Sequence, residues 1–197
     1  MFHFNLEINV IDILSWITAF ILGILGYKGI IRQIKEAQNS YYTNLLFEMY
    51  KIFHSKDILF HRSIVASIPF EEIRDINDKE RIFNRNLYWY HSVDTLLNFF
   101  ETLGILFIDI EQDQKTEQIK ELFAYYIVGY WNLTENYINI INKSREKSDF
   151  FFCNFKKLYE SVKNNVPFNK NVDLQRFILE ERYIIESLKK QREVFNE

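Results

Sequence analysis

The sequence predicts an all-α protein: an N-terminal transmembrane helix followed by a cytoplasmic bundle of five or six helices. Three observations lead there. The first is the run from Val10 to Tyr27, VIDILSWITAFILGILGY, 18 residues whose only charge is Asp12. The second is the scarcity of chain breakers: 5 Gly and 2 Pro in 197 residues leave little to punctuate hairpins. The third is apolar spacing of three and four residues along most of the chain that follows. With 48% hydrophobic and 17% aromatic residues, that chain has ample material for a packed core. The length suits one domain plus an anchor, here residues 1–36 and 37–197.

At 1.5 Å per residue the N-terminal run covers roughly 27 Å, and extension to Ile31 carries it past the ~30 Å hydrocarbon core of a bilayer. A buried core helix is the competing reading. A secretory signal is not, because no Lys or Arg precedes the run and no small-residue cleavage pattern follows it. Lys28, Arg32 and Lys35 come after it, so the positive-inside rule places the N-terminus outside and the rest in the cytoplasm. The expected location is a bacterial inner membrane, crossed once.

The span has two unlike sides. At 100° per residue, Asp12, Ser15, Ala19, Gly23 and Gly26 fall within about 80° of one another. Ile13, Leu14, Ile17, Phe20, Ile21, Ile24 and Leu25 take the opposite side. Small residues at this spacing let helix backbones approach closely in lipid, and an intramembrane acid costs much less facing a bundle interior or water than facing lipid. The expected partners are therefore other copies of the chain and the bilayer. Two readings stay open, a self-associating anchor and a ring of helices lining a pore.

Beyond the anchor, Ser40 is expected to cap a helix carrying Leu45, Leu46, Met49, Ile52 and Phe53. A shorter helix from Ile58 to Ile68 should stop at Pro69. A long one is expected from Asp78 to Phe107, with Gly104 marking a bend, followed by an acidic loop from Asp109 to Lys115. Further helices should run from Thr116 to Ser144, from a cap at Ser148 to Asn164, and, after Pro167, from Asp173 to Phe195.

Little in the sequence points to chemistry. The net charge of −3 is no footprint for nucleic acid, and the single Cys153 excludes an intrachain disulfide. The four histidines, His3, His54, His61 and His91, show no paired metal-ligand spacing, and there is no phosphate-binding glycine loop or nucleophile elbow. No metal or small-molecule cofactor is expected. One tract stands out, Arg85-Asn86-Leu87-Tyr88-Trp89-Tyr90-His91. It resembles the R-x4-6-H motif of the HEPN ribonucleases. That resemblance implies catalytic roles for Arg85, Asn86 and His91 at a site formed between protomers, with RNA as substrate. The chemistry is intelligible: histidine titrates near neutrality and serves as general acid or base, and arginine stabilises charge on a transferring phosphate. The competing reading packs Tyr88 and Trp89 in the core and leaves Arg85 and His91 solvated.

Two broader resemblances follow. Asn98-Phe99-Phe100-Glu101, the Leu103–Phe107 run, Leu122-Phe123 with Tyr130-Trp131, and Phe155 with Leu158-Tyr159 resemble a bacterial family of small helical proteins. Its members often carry an N-terminal membrane helix and have no assigned function. The N-terminal span, the helical domain and the divergent motif at Arg85 and His91 together resemble the small accessory membrane proteins of type VI-B CRISPR systems. That resemblance implies a homo-oligomeric pore that depolarises the infected cell alongside an RNA-targeting effector. Three functions thus compete: a pore-forming defence accessory, a membrane-tethered HEPN-like ribonuclease, and a passive adaptor that docks a partner through its C-terminal helix.

Overall fold

A computed structural model describes the backbone at residues 10–108, 113–144, 151–164, 166 and 173–194. Side chains are described at 18–107, 122–144, 151–164, 166, 173–184, 186 and 187. Every regular element among these residues is helical. They are α1 (Val10–Phe53), α2 (Lys56–Val65), a 3-10 turn at Phe70–Glu72, α3 (Ile76–Phe83), α4 (Leu87–Ile108), α5 (Asp113–Ser144), α6 (Cys153–Val162) and α7 (Asp173–Val194). The chain divides into two compact units, Met1–Leu45 and Leu46–Glu197, with the boundary inside α1.

The described part of the first unit is the N-terminal stretch of α1. Its apolar side chains find no cover: Phe20, Ile21, Leu22, Ile24, Leu25, Tyr27, Ile30, Ile31 and Ile34 are all exposed. Ala19 is exposed too, and a Cβ added at Gly23, Gly26 or Gly29 would meet nothing within 4 Å. Arg32 and Glu36 pair one turn apart on the surface at 2.8 Å. Among the described residues no helix is long and apolar enough to cross a membrane. The side chains of Val10–Ile17, including Asp12 and Ser15, lie outside the described residues.

The second unit packs its helices around aromatic rings. Phe53, at the end of α1, stacks on Phe99 at 5.1 Å and meets Phe100, Phe123 and Tyr126 edge-on. Phe100 stacks on Phe155 at 4.7 Å, joining α4 to α6. Trp131 of α5 stacks on Tyr159 at 5.3 Å, joining α5 to α6. Offset and edge-on pairs of this kind contribute about 0.5–1.5 kcal/mol each beyond burial. α4 is the central element, packed against α2, α3, α5 and α6.

The sequence expectations differ from the structure in five places, one being that the helix expected to run to Ile68 ends at Val65. Ser40 caps nothing, because α1 continues unbroken through it. The expected long helix from Asp78 is two helices: the chain turns at residues 84–86, after Asn84 closes α3 and before Asn86 accepts the Tyr88 amide at 3.0 Å as α4 begins. Asn competes for backbone hydrogen bonds in this way and favours caps over helix interiors. Gly104 marks no bend. Instead it lets α6 approach α4, since a Cβ there would sit 2.5 Å from the carbonyl oxygen of Asn154. Finally, Asp113–Lys115 belong to α5 rather than to a loop. Residues 109–112, the expected cap at Ser148 and the break at Pro167 lie outside the described residues.

Candidate functional site

Of the residues singled out on the anchor, Ala19, Gly23 and Gly26 lie on an exposed stretch of helix. Helical geometry puts them on one side of α1. Asp12 and Ser15 are in the helix by backbone, with side chains outside the described residues.

The histidine tract is built differently from its linear reading. Arg85 lies exposed in the turn between α3 and α4, and Asn86 serves the start of α4. His91, two turns of chain further on, is exposed and meets His61 of α2, ring centres 5.0 Å apart and planes at 88°. The Nδ1 of His61 is 3.0 Å from the hydroxyl of Ser92, which is buried. Burial, followed by the charge of His91, lowers the His61 pKa from its ordinary 6.5, while Asp57 one turn earlier opposes the shift. His61 is thus a neutral imidazole at pH 7, fixed by one nitrogen. No spacing in the sequence signals this pair, because its members lie 30 residues apart on separate helices. Tyr88 is exposed and Trp89 half-buried, so the tract is no simple core segment.

Beside it, a cleft of about 560 Å³ is lined by residues of α3, α4 and α5 together with Phe151 and Phe152. Its polar lining includes Lys79, Tyr90, Asp94 and Tyr137, and the Lys79 ammonium lies 5.5 Å from the centre of the Tyr90 ring. Burial, then Tyr90 and Asp94, push the Tyr137 phenol up, so it stays protonated and able to donate.

Among the described residues, the buried charges of the domain lie elsewhere. Arg62 of α2 forks onto Glu181 of α7, with Nε to Oε2 at 2.9 Å and Nη2 to Oε1 at 2.7 Å. Tyr130 of α5 donates its hydroxyl to the same carboxylate, and Arg62 Nη1 donates to the carbonyl of Phe53 at 3.2 Å. The guanidinium also lies over the rings of Phe53 and Tyr126 at 4.1 and 4.7 Å. Burial works against the charge on Arg62, yet the bonds to Glu181 win and raise its pKa. Fully satisfied and enclosed, the cluster offers no room to a substrate. It fastens α7 down and makes no reaction centre.

Glu101 of α4 is a second structural carboxylate. Its oxygens accept from the amides of Asn154 and Phe155 at 3.2 and 2.8 Å, the orphan donors at the start of α6. Phe152, just before, takes a left-handed φ of 59° to aim those amides. Glu101 belongs to the tract that carries the family resemblance, and nothing local in the sequence marks its role.

No family model matches this chain, and no curated protein or solved structure is similar to it.

Proposed function

We propose that the chain is a single-pass membrane protein whose α1 helices associate through Ala19, Gly23 and Gly26, forming a homo-oligomer that permeabilises the membrane. The observation that carries this reading is the uncovered apolar surface of α1. Nine large side chains between Phe20 and Ile34 are exposed. Covering one such side chain is worth about 1.5–3 kcal/mol, so leaving them all in water forgoes on the order of 10 kcal/mol. Lipid covers them without a protein partner. The gap in side-chain volume at Gly23 and Gly26 leaves one side where a second helix backbone fits closely. The other half of the span would come from Val10–Ile17, and Lys28, Arg32 and Lys35 would hold its end at the cytoplasmic headgroups. A setting in antiviral defence rests on the resemblance to CRISPR accessory membrane proteins alone.

The test is reconstitution of the full chain into liposomes loaded with a self-quenching dye. Release is expected, and Gly23→Leu should cut it at least tenfold while leaving membrane insertion intact. A chain that carbonate strips from membranes, or that releases no dye, sinks the proposal.

A second reading is favoured by one observation, the neutral His61 beside exposed His91. Two imidazoles at one surface suit acid–base cleavage of RNA without a metal. This reading expects the purified chain to cleave single-stranded RNA in chelator, and His91→Ala or Arg85→Ala to abolish cleavage. Cleavage that survives both substitutions would dismiss it.

A further inference from the structure

We infer that His61 and His91 form a binding site for a divalent, imidazole-preferring transition-metal ion such as Zn²⁺ or Ni²⁺. Neither the pore nor the ribonuclease reading requires it.

Two imidazoles bound to one tetrahedral ion through bonds of about 2.0–2.1 Å hold their ring centres about 5 Å apart. His61 and His91 stand at 5.0 Å. Their edge-on planes do not yet aim both lone pairs at one point. Rotation about the last side-chain bond re-aims a ring nitrogen, and this torsion is broad for histidine. His91 is exposed and has room to turn.

One ring nitrogen of His61 is already engaged. A metal-binding histidine usually donates its other ring N–H to a fixed acceptor, which sets the tautomer and aims the free lone pair. The Nδ1 of His61 lies 3.0 Å from the hydroxyl of buried Ser92, an oxygen able to accept its proton. With the proton on Nδ1, the Nε2 lone pair is the ligand. Imidazole binds a metal through its neutral form, so uptake should strengthen as pH rises. Asp57, one turn earlier on α2, adds negative charge toward the pair, which favours a cation.

No group of three or more His, Cys, Asp and Glu side chains among the described residues is placed to hold a metal. The site is therefore an open one, with two protein ligands and its remaining positions left to water or an anion. Such a site binds more weakly than a closed structural zinc centre and leaves the metal reactive.

The experiment is calorimetric titration of the untagged full-length protein in detergent with ZnCl₂ and separately with NiCl₂, followed by the visible spectrum of the Co²⁺ form. One ion per chain is expected, with a tetrahedral cobalt band. His91→Ala, at an exposed position, should fold normally and lose at least tenfold in affinity, and His61→Ala should do the same. Ser92→Ala should weaken binding about tenfold through the lost orienting bond. Failure of the wild-type protein to take up either ion overturns the proposal. So does binding that persists in both histidine variants, which would place the ion on other residues.

Discussion

Arg62 shows what a single buried charge demands. Its guanidinium is enclosed by Glu181, Tyr130, Phe53 and Tyr126, and a buried ion is tolerated only when its hydrogen bonds are complete. Glu181→Ala removes the counter-charge and strands the arginine, at an expected loss of about 3–5 kcal/mol. Against the 5–15 kcal/mol typical of a domain that loss is large. The double variant Arg62→Met, Glu181→Leu removes both ions and should recover most of it. Urea denaturation of the two variants checks this, and a double variant as unstable as the single one would contradict it. His61 governs a second, pH-linked effect. Because its folded pKa lies below 6.5, the unfolded chain binds the proton more readily, and stability rises with pH through this window. Stability should be full above about pH 6.5 and fall as pH drops through that value toward the folded pKa. His91→Gln removes the charge beside His61 and should flatten the slope of melting temperature against pH. Neither arrangement was legible in the sequence. A lone arginine in a helix of mixed composition reads as solvated, and its acid lies 119 residues away.

At the scale of elements, the sequence was read well where apolar periodicity ran long and poorly where small polar side chains acted through the backbone. The expected Asp173 helix begins where α7 does, whereas the helix expected over Ile58–Ile68 ends at Val65, four residues before Pro69, and Pro69 instead leads into the 3-10 turn. The chain break at residues 84–86 went unread, because a turn made by two asparagines carries neither Gly nor Pro to announce it. It matters for the motif, since Arg85 and His91 were expected on one helix and Arg85 lies ahead of it. Glycines show the same contrast. Gly104→Ala would gain about 1 kcal/mol of helix propensity. It would also force a Cβ to within 2.5 Å of the Asn154 carbonyl oxygen on the neighbouring helix, where overpacking costs about 1–3 kcal/mol. A net loss is expected, lowering the melting temperature by a few degrees. Gly23→Ala meets open space, so the propensity gain comes without overpacking and the melting temperature should not fall. Parallel thermal scans distinguish the two sites, and equal effects would contradict the packing argument.

On the scale of the molecule, the all-α class follows from composition, and the division into two units follows from where apolar surface is covered. Leu46–Glu197 buries its own aromatic core, whereas α1 before Leu45 leaves its apolar side chains open. From length and charge exclusion the sequence predicts an anchor, while among the described residues no helix is long and apolar enough to cross a membrane. How α7 is fastened to the domain was not legible, because Arg62 and the Glu181 it pairs with lie 119 residues apart. The same pairing sets a clock on biosynthesis. At about 5–20 residues per second, the 119 residues between the two take roughly 6–24 s to translate. Throughout that interval α2 holds a cation destined for the interior with no anion to receive it, so the nascent domain stays ajar while α1 has already left the ribosome. Ribosome-bound chains arrested just before Asp173 should be cut by protease within α2–α5. The full chain, α7 included, followed by a linker long enough to clear the exit tunnel should resist. Protection of the shorter nascent chain would show that closure precedes α7 and would remove the clock.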